Sequence, residues 1–540
     1  MLLVKILSPL PQLTSSYTGA AAYNSTTFDP PALPDPLPSL SLDLNIQTNP
    51  SGLSITQSGA FMGFSVEMSV ANQVCESILQ VPFLNLLATI LQRSGTVRVR
   101  IGGNSQDTAS QVASLDDGKV LEKDLSGVTN PTETPPLAFT PDLMYMMRNI
   151  SNFVNVRWFV GIPFNDSSNF RLEIAQSAQE ILGYYRIGNE PDLYAAHGHR
   201  SSSYSQYDYV GELGSVIDDM SQYSDLSCLS VVLLIGATSK LMTDNFLNNT
   251  AGTWTPEDVW DTGVMDTYGS NIAWMSVEHY PTDNCYVQYG TGTPRNDTEL
   301  WPTYLMHTTA QSLIQPYLNS TAYAQSKSKP FIMFETNTAS CAPPTNQSSY
   351  KQWTVGPVFY SSLVIAEAVG PSNQSQVLEI GAENQSTNYV SYENVQPVRM
   401  YTENIAIGGS QTGQSNTTPS QVKELRYLTA LSVFQKGNYS WASQTFGGNF
   451  ESDGRLERTK IIETIPFSVL APGAALVFLT DDLTETEGAP STTFATTTKT
   501  ATTATVDTSV LATSNGCSGN SPMGSSGKGS ANDGVGLKAV

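Results

Sequence analysis

The sequence predicts an α/β fold followed by an all-β unit: a (β/α)8-type barrel with a C-terminal β-sandwich. Short apolar runs recur at residues 61–67, 97–102, 157–161, 184–188, 231–236, 272–279 and 331–335, each followed by helix-like sequence. Continuous apolar runs alternating with helices mark buried parallel strands, and seven such units in succession favour a barrel over an open sheet. After about residue 370 the texture changes to short strands and turns, with candidates at 396–401, 424–433, 461–466 and 474–479, the pattern of a sandwich. No GxGxxG follows the first strand, which disfavours a dinucleotide-binding sheet.

In chain order, residues 1–37 form an N-terminal extension that is Pro-rich and extended from residue 27. Leu40, Leu42, Leu44 and Ile46 then alternate with polar residues, the mark of a half-buried strand. This segment, 38–58, precedes the barrel and is placed to pair into the sandwich. The barrel spans 59–370. Its last helix is expected at 353–369, where Val358, Leu363, Val364, Ala366 and Val369 are apolar. The sandwich spans 371–484. Residues 485–540, first Thr-rich and then rich in Gly and Ser, read as a flexible or O-glycosylated stalk.

Composition bounds the function. Asp and Glu number 48 against 26 Lys and Arg, a formal charge of −22. That balance argues against a nucleic-acid partner, which needs a basic surface, and against docking on anionic membranes. Charged residues make up only 14% of the chain, below the roughly 25% usual in soluble domains. Asn-x-Ser/Thr sequons occur at Asn24, Asn149, Asn165, Asn248, Asn296, Asn319, Asn346, Asn373, Asn384, Asn416 and Asn438, the profile of a secreted or cell-wall-associated glycoprotein. Met1 to Leu10, interrupted at Pro9, matches a standard leader poorly. No apolar run approaches the roughly 18 residues of a membrane span, and no hydrophobic tail for a glycolipid anchor follows the stalk. The cysteines are Cys75, Cys228, Cys285, Cys341 and Cys517. None forms a CxxC pair, so no structural zinc site is expected. Cys285 and Cys341 each lie a few residues past a strand, which leaves a disulfide and two buried thiols equally open.

The sharpest chemical signal is Arg186-Ile187-Gly188-Asn189-Glu190-Pro191. An apolar strand ends in two polar side chains, which places them at the catalytic end of a barrel, and Pro191 forces the chain off the strand. A carboxyl held there among apolar neighbours has a raised pKa, as a general acid needs. The second signal is Phe331-Ile332-Met333-Phe334-Glu335, again a hydrophobic strand ending in Glu. Singly, each reads as a solvated loop carboxylate or a helix cap. Together they place two glutamates on the fourth and seventh strand ends. Carboxylates about 5–5.5 Å apart are the arrangement of a retaining glycosidase, with Glu190 as acid/base and Glu335 as nucleophile. His197 and His199 follow Glu190 without further ligands and read as loop residues.

Gly63-Phe64-Ser65-Val66-Glu67, Arg98-Val99-Arg100-Ile101-Gly102-Gly103-Asn104-Ser105-Gln106-Asp107, Ile187-Gly188-Asn189-Glu190-Pro191-Asp192 and Phe334-Glu335-Thr336-Asn337-Thr338-Ala339-Ser340 together resemble glycoside hydrolase family 79, most of all its fungal members. The resemblance runs from about residue 38 to 483. It implies a clan A barrel with a C-terminal β-sandwich and β-glucuronidase or heparanase-like activity, with no metal and no cofactor. It implies that Glu190 is the acid/base and Glu335 the nucleophile. It further implies that Asn189 bonds the sugar 2-OH, that Tyr280 stands beside the nucleophile after His279, and that Arg100 supports the same carboxylate. Glu67, Asn104, Gln106 and Asp107, at the first two strand ends, are candidates to bind sugar hydroxyls; helix capping and loop polarity are the competing readings.

The chain departs from the family in one place. The family carries a Gly-rich loop, a helix and an eighth strand between the nucleophile strand and the last helix. Here Cys341-Ala342-Pro343-Pro344 runs almost directly into that helix. The barrel is therefore expected to lack its eighth strand and to leave two edges unpaired at the seam. The functional expectation is a retaining β-glucuronidase-like hydrolase acting on carbohydrate, with activity falling above mildly acidic pH because an acidic surface repels anionic polymers. An inactive carbohydrate-binding relative and another clan A β-glycosidase specificity are the alternatives.

Overall fold

The computed structural model describes residues 39–481 apart from 73–79, 127–134, 227–230, 238–253, 287–293, 295–300, 341–352, 406–409, 416–421, 449–451, 458–467 and several shorter stretches, together with 538–539. All five cysteines, the expected strand at 461–466 and the stalk up to residue 537 lie outside the described residues.

Strand β1 (Ser39–Leu44) precedes the α/β unit. Its parallel strands are β2 (Gly63–Glu67), β3 (Val97–Gly102), β7 (Val156–Ile162), β8 (Tyr185–Ile187), β9 (Val231–Ala237), β10 (Ile272–Glu278) and β11 (Phe331–Glu335). Helices alternate with them: α1 (Val81–Ser94), α2 (Asp142–Val154), α3 (Leu172–Ile181), α4 (Gln206–Ser221), α5 (Pro256–Trp260), α6 (Val264–Tyr268), α7 (His307–Ile314), α8 (Leu318–Ser326) and α9 (Pro357–Val369). A small side sheet of β4 (Ala109–Gln111), β5 (Leu121–Lys123) and β6 (Leu137–Phe139) interrupts the alternation after β3.

A closed eight-stranded barrel is not observed. The strands are hydrogen-bonded as two parallel ladders, β2-β3-β7-β8 and β9-β10-β11. β8 lies against β9, and β11 lies against β2, without a shared ladder. No eighth strand joins these parallel ladders among the described residues, and the outer edge of β2 is paired antiparallel by a two-residue strand, β20 (Lys538–Ala539). At the other break the reason is local. β8 ends after three residues, because Gly188 takes a left-handed backbone and Pro191 follows three residues later.

Each strand sorts its side chains by period two. Val97, Val99 and Ile101 of β3 and Val156, Trp158, Val160 and Ile162 of β7 are buried in the cluster that includes the helices. The inner face is mixed. Phe159 packs edge-on against Phe334 with centroids at 4.9 Å and against Trp274 at 5.9 Å. The Arg98 guanidinium sits 5.0 Å over the Trp274 ring, a cation–π contact. The sequence Val97-Arg98-Val99-Arg100-Ile101 is thus an outer apolar face with an inner basic one.

The helices follow local rules. α1 has Pro82 in its first turn and stops at Gly95, whose left-handed backbone donates to the Leu91 carbonyl at 2.8 Å. α4 starts on a capping box between Ser205 and Asp208. α9 begins at Pro357, after Gly356, four residues later than the apolar pattern predicts.

The C-terminal part is a six-stranded sheet in the order β12-β13-β14-β19-β16-β17, its paired neighbours antiparallel. Its strands are β12 (Ser375–Glu383), β13 (Ser386–Glu393), β14 (Gln396–Asn404), β16 (Glu424–Thr429), β17 (Ser440–Trp441) and β19 (Gly473–Phe478). β15 (Ser410–Ser415) and β18 (Ser468–Leu470) form a smaller sheet with β1, which runs parallel to β15. Val469 of β18 shares a core with Val390, Tyr392, Met400, Leu425, Ala475 and Val477. Leu476 and Phe478, on the opposite face of β19, join the cluster of the α/β unit.

Candidate active site

The C-terminal ends of β3, β8, β10 and β11 bring one set of polar side chains together. Arg100 is fully buried on the inner face of β3. Its Nη1 donates to Glu335 Oε2 at 2.6 Å and to Ser65 Oγ at 3.2 Å, and lies 3.0 Å from Glu278 Oε1. Its Nη2 donates to Asn189 Oδ1, and Asn189 Nδ2 donates to Asn104 Oδ1 at 2.9 Å. The Tyr280 hydroxyl donates to the second oxygen of Glu335. Glu335 is therefore held at both oxygens, by a cation and by a phenol.

Strict alternation along β11 would turn Glu335 away from this cluster. Ser276 pairs with Ile332 and Val277 with Met333, but Glu278 pairs with Glu335 because the register slips past Phe334. A bulge of this kind re-aims the side chain that follows it. Here it brings Glu335 onto the inner face beside Glu278, and the His279 amide donates to the Glu335 carbonyl at 3.0 Å.

Glu190 lies beyond β8 with a left-handed backbone, φ 43° and ψ 58°, uncommon for a residue with a Cβ. The turn is held in place. The Tyr194 hydroxyl accepts from the Asn189 amide at 3.3 Å and donates to Asp107 Oδ1 at 2.9 Å. Burial raises the Glu190 pKa well above the ordinary glutamate value, and the charges of Glu278, Glu335 and Asp192 push it the same way. Burial pulls Arg100 down, but Glu278 and Glu335 outweigh it and leave that guanidinium held above its usual value. Burial lowers His279 to about 4. Its ring meets Tyr317 edge-on at 5.6 Å.

The candidates thus divide. Glu335, Arg100, Asn189, Asn104 and Tyr280 form one connected cluster, with Glu190 coupled to it through charge. Glu67 instead accepts from the Ser105 amide at 3.0 Å and from the Ser105 hydroxyl, capping the short turn Asn104–Gln106. Gln106 is fully buried against Gly161 and Gly102. Asp107 is buried and accepts from Tyr194 and from the Phe164 amide at 3.2 Å. Neither presents its side chain at the mouth; both shape the floor beneath it. His199 packs edge-on to Tyr194 at 5.3 Å and is lowered to about 4 by burial. Among the described residues no group of three or more His, Cys, Asp or Glu is arranged to hold a metal ion, and no helix is long and apolar enough to cross a membrane.

Sequence reasoning missed Glu278, Ser65 and Tyr194. Glu278 carried a readable signal, a carboxylate at the end of an apolar strand like Glu190 and Glu335, but it sat inside the run assigned to the strand. Tyr194 had none, because its partner Asp107 is remote in sequence.

The sequence matches no protein-family model and no curated protein. Among solved structures it is similar to a 4-O-α-L-rhamnosyl-β-D-glucuronidase from Fusarium oxysporum 12S, with a TM-score of 0.60 and 18% identity over 82% of this chain and 100% of that one. A GH51 arabinofuranosidase from Xanthomonas axonopodis pv. citri gives a TM-score of 0.49 and 8% identity over 82% of this chain and 100% of its own. The first likeness is one of fold.

Proposed function

We propose that this chain is a retaining glycoside hydrolase and, within that class, a β-glucuronidase-like enzyme acting on glucuronides of polysaccharides or glycoproteins. The observation that carries the reading is the Glu335 carboxylate, gripped by Arg100 and Tyr280, close enough to Glu190 for its charge to hinder Glu190's ionisation. Two carboxyls with opposed protonation are what double displacement requires. Glu190, protonated, gives its proton to the leaving oxygen while Glu335 attacks the anomeric carbon and forms a glycosyl ester. Glu190, now a carboxylate, takes a proton from the water that displaces Glu335. Arg100 and Tyr280 steady the departing carboxylate. Asn189, tied to Arg100, is set to bond the sugar 2-OH.

The glucuronide specificity rests on the four family 79-like motifs and on the fold shared with a rhamnosyl-β-glucuronidase. The sequons support a secreted or cell-wall-associated glycoprotein. Of those that are described, Asn149, Asn319, Asn373 and Asn438 are exposed. A second reading, a carbohydrate-binding relative without turnover, draws on the break between β11 and β2.

The deciding experiment is azide rescue. Glu335→Gly should be inactive on an aryl β-glucuronide and regain turnover with azide, yielding the α-glycosyl azide. Glu190→Gly should yield the β-azide instead. No rescue in either, with glycan binding retained, overturns the enzyme reading in favour of the second.

A further inference from the structure

The double-displacement scheme uses two glutamates, yet the site holds a third. Glu278 is buried at the end of β10, opposite Glu335 in the ladder, and 3.0 Å from the guanidinium that grips Glu335. Apart from Ala237, its partner on β9, its neighbours are largely charged. Arg100 faces it from β3 and Glu335 from β11. Glu190 and Asp192 lie on the turn after β8, Tyr280 lies two residues beyond the end of β10, and Glu67 at the end of β2 acts on Arg100.

We propose that Glu278 is a positioning residue of the hydrolase: it shares with Glu335 the Arg100 guanidinium that also holds Asn189, the residue before Glu190. The inference rests on the proposed function but reads on a property that does not need turnover. Two consequences follow from the geometry. With Glu278 in place, Arg100 is divided between two carboxylates, so Glu335 keeps more of its negative charge for attack. When Glu335 is esterified, Glu278 remains as the counter-charge to Arg100, so the buried cation is never left alone at that stage. The same charge keeps Glu190 a proton donor to higher pH, since a like charge nearby disfavours ionisation. After burial, Glu278 is the largest contributor to that effect on Glu190.

The test is direct titration of Glu190 by carboxyl-carbon NMR on the full-length protein, with the signal assigned by its loss in Glu190→Gln. Glu278→Gln keeps the shape and removes the charge. It should lower the Glu190 midpoint by about one pH unit, and both limbs of the kcat/KM profile should move down in pH. A purely structural role would reduce the folded fraction and leave the midpoint in place. Glu278→Asp draws the charge back by one methylene and should move the midpoint by less than half as much. It also serves as the test if Glu278→Gln does not fold. An unchanged Glu190 midpoint in the folded variant overturns the proposal. If the midpoint moves while no glycoside is hydrolysed, the functional reading fails and the role of Glu278 in setting Glu190 stands.

Discussion

Glu278 and Glu335 end adjacent parallel strands on the same face and reach a single guanidinium, Arg100, at 3.0 and 2.6 Å. Two carboxylates so placed repel, and the one cation between them offsets a single negative charge. Glu190, raised first by its own burial and then by this surplus negative charge, is driven towards its acid form. The division of roles between chemically identical residues therefore follows from the burial of Glu190 and from the guanidinium that holds Glu335.

Replacing Glu190 separates acid catalysis from the rest of the reaction. Glu190→Gln should lose about 10²–10⁴ in kcat on glucuronides with poor leaving groups, and far less on activated aryl glucuronides that need no proton. Steady-state rates on a leaving-group series check this. An equal loss across the series would remove Glu190 from the acid role.

The raised Glu190 pKa has a signed effect on stability. The unfolded carboxyl ionises near about 4.3, the folded one at higher pH, so the folded state binds more protons between those values. Stability is then lost as pH rises through the folded pKa. Glu190→Gln removes that cost and should have a higher Tm than the wild type at pH 7. A Tm no higher than wild type would contradict it. For the same reason the alkaline limb of kcat/KM should lie above the ordinary glutamate range.

Glu367 on α9 ties the two halves of the chain together. It pairs with Arg93 of α1 at 2.5 Å and with Arg426 of β16 at 2.6 Å, and accepts from Trp441 Nε1 at 3.0 Å. Burial raises its pKa, but the two arginines outweigh burial and hold it below the ordinary value. This stabilisation is present above the unfolded glutamate pKa and is lost as pH falls through the folded one. Glu367→Ala leaves the buried Arg426 with Glu424 as its remaining carboxylate and should cost about 1–3 kcal/mol. Urea unfolding at pH 7 measures it, and the gap to wild type should narrow towards pH 3.

Gly103 carries a left-handed φ of 85°, and a Cβ there would lie within 1.9 Å of a Glu67 oxygen. Gly103→Ala must displace Glu67 from the Ser105 cap and so move Asn104, the partner of Asn189. A stability loss of about 1–3 kcal/mol together with a raised KM is expected. Denaturation and Michaelis–Menten analysis check the two parts, and an unchanged KM would remove Asn104 from substrate binding.

Much of this was legible in the chain. Apolar runs located all seven parallel strands to within a few residues, because a strand buried on its outer face must be apolar there whatever surrounds it. β12 and β13 were not legible. Glu379, Gly381 and the polar stretch at 384–388 dilute the alternation, and those strands are held by their neighbours in the sheet. The side sheet β4-β5-β6 escaped notice because three-residue strands carry too little pattern. The break between β8 and β9, which divides the strands into two ladders, was also beyond local sequence, since it depends on how neighbouring strands meet rather than on any one strand.

By itself, the sequence determined which residue types end the strands: Arg100 on the second, Asn189 and Glu190 beyond the fourth, Glu278 and Tyr280 at the sixth, Glu335 at the seventh. Strand direction alone sends them to one end. Only the tertiary structure decided which of them meet. The register slip past Phe334 turns Glu335 inward, the Tyr194–Asp107 bond holds the Asn189–Glu190 turn, and Gln106 and Asp107 are taken into the floor. The physical reason is that side-chain direction in a strand reverses with every residue. A one-residue shift in pairing, set by the neighbouring strand, separates a surface carboxylate from one that faces Arg100.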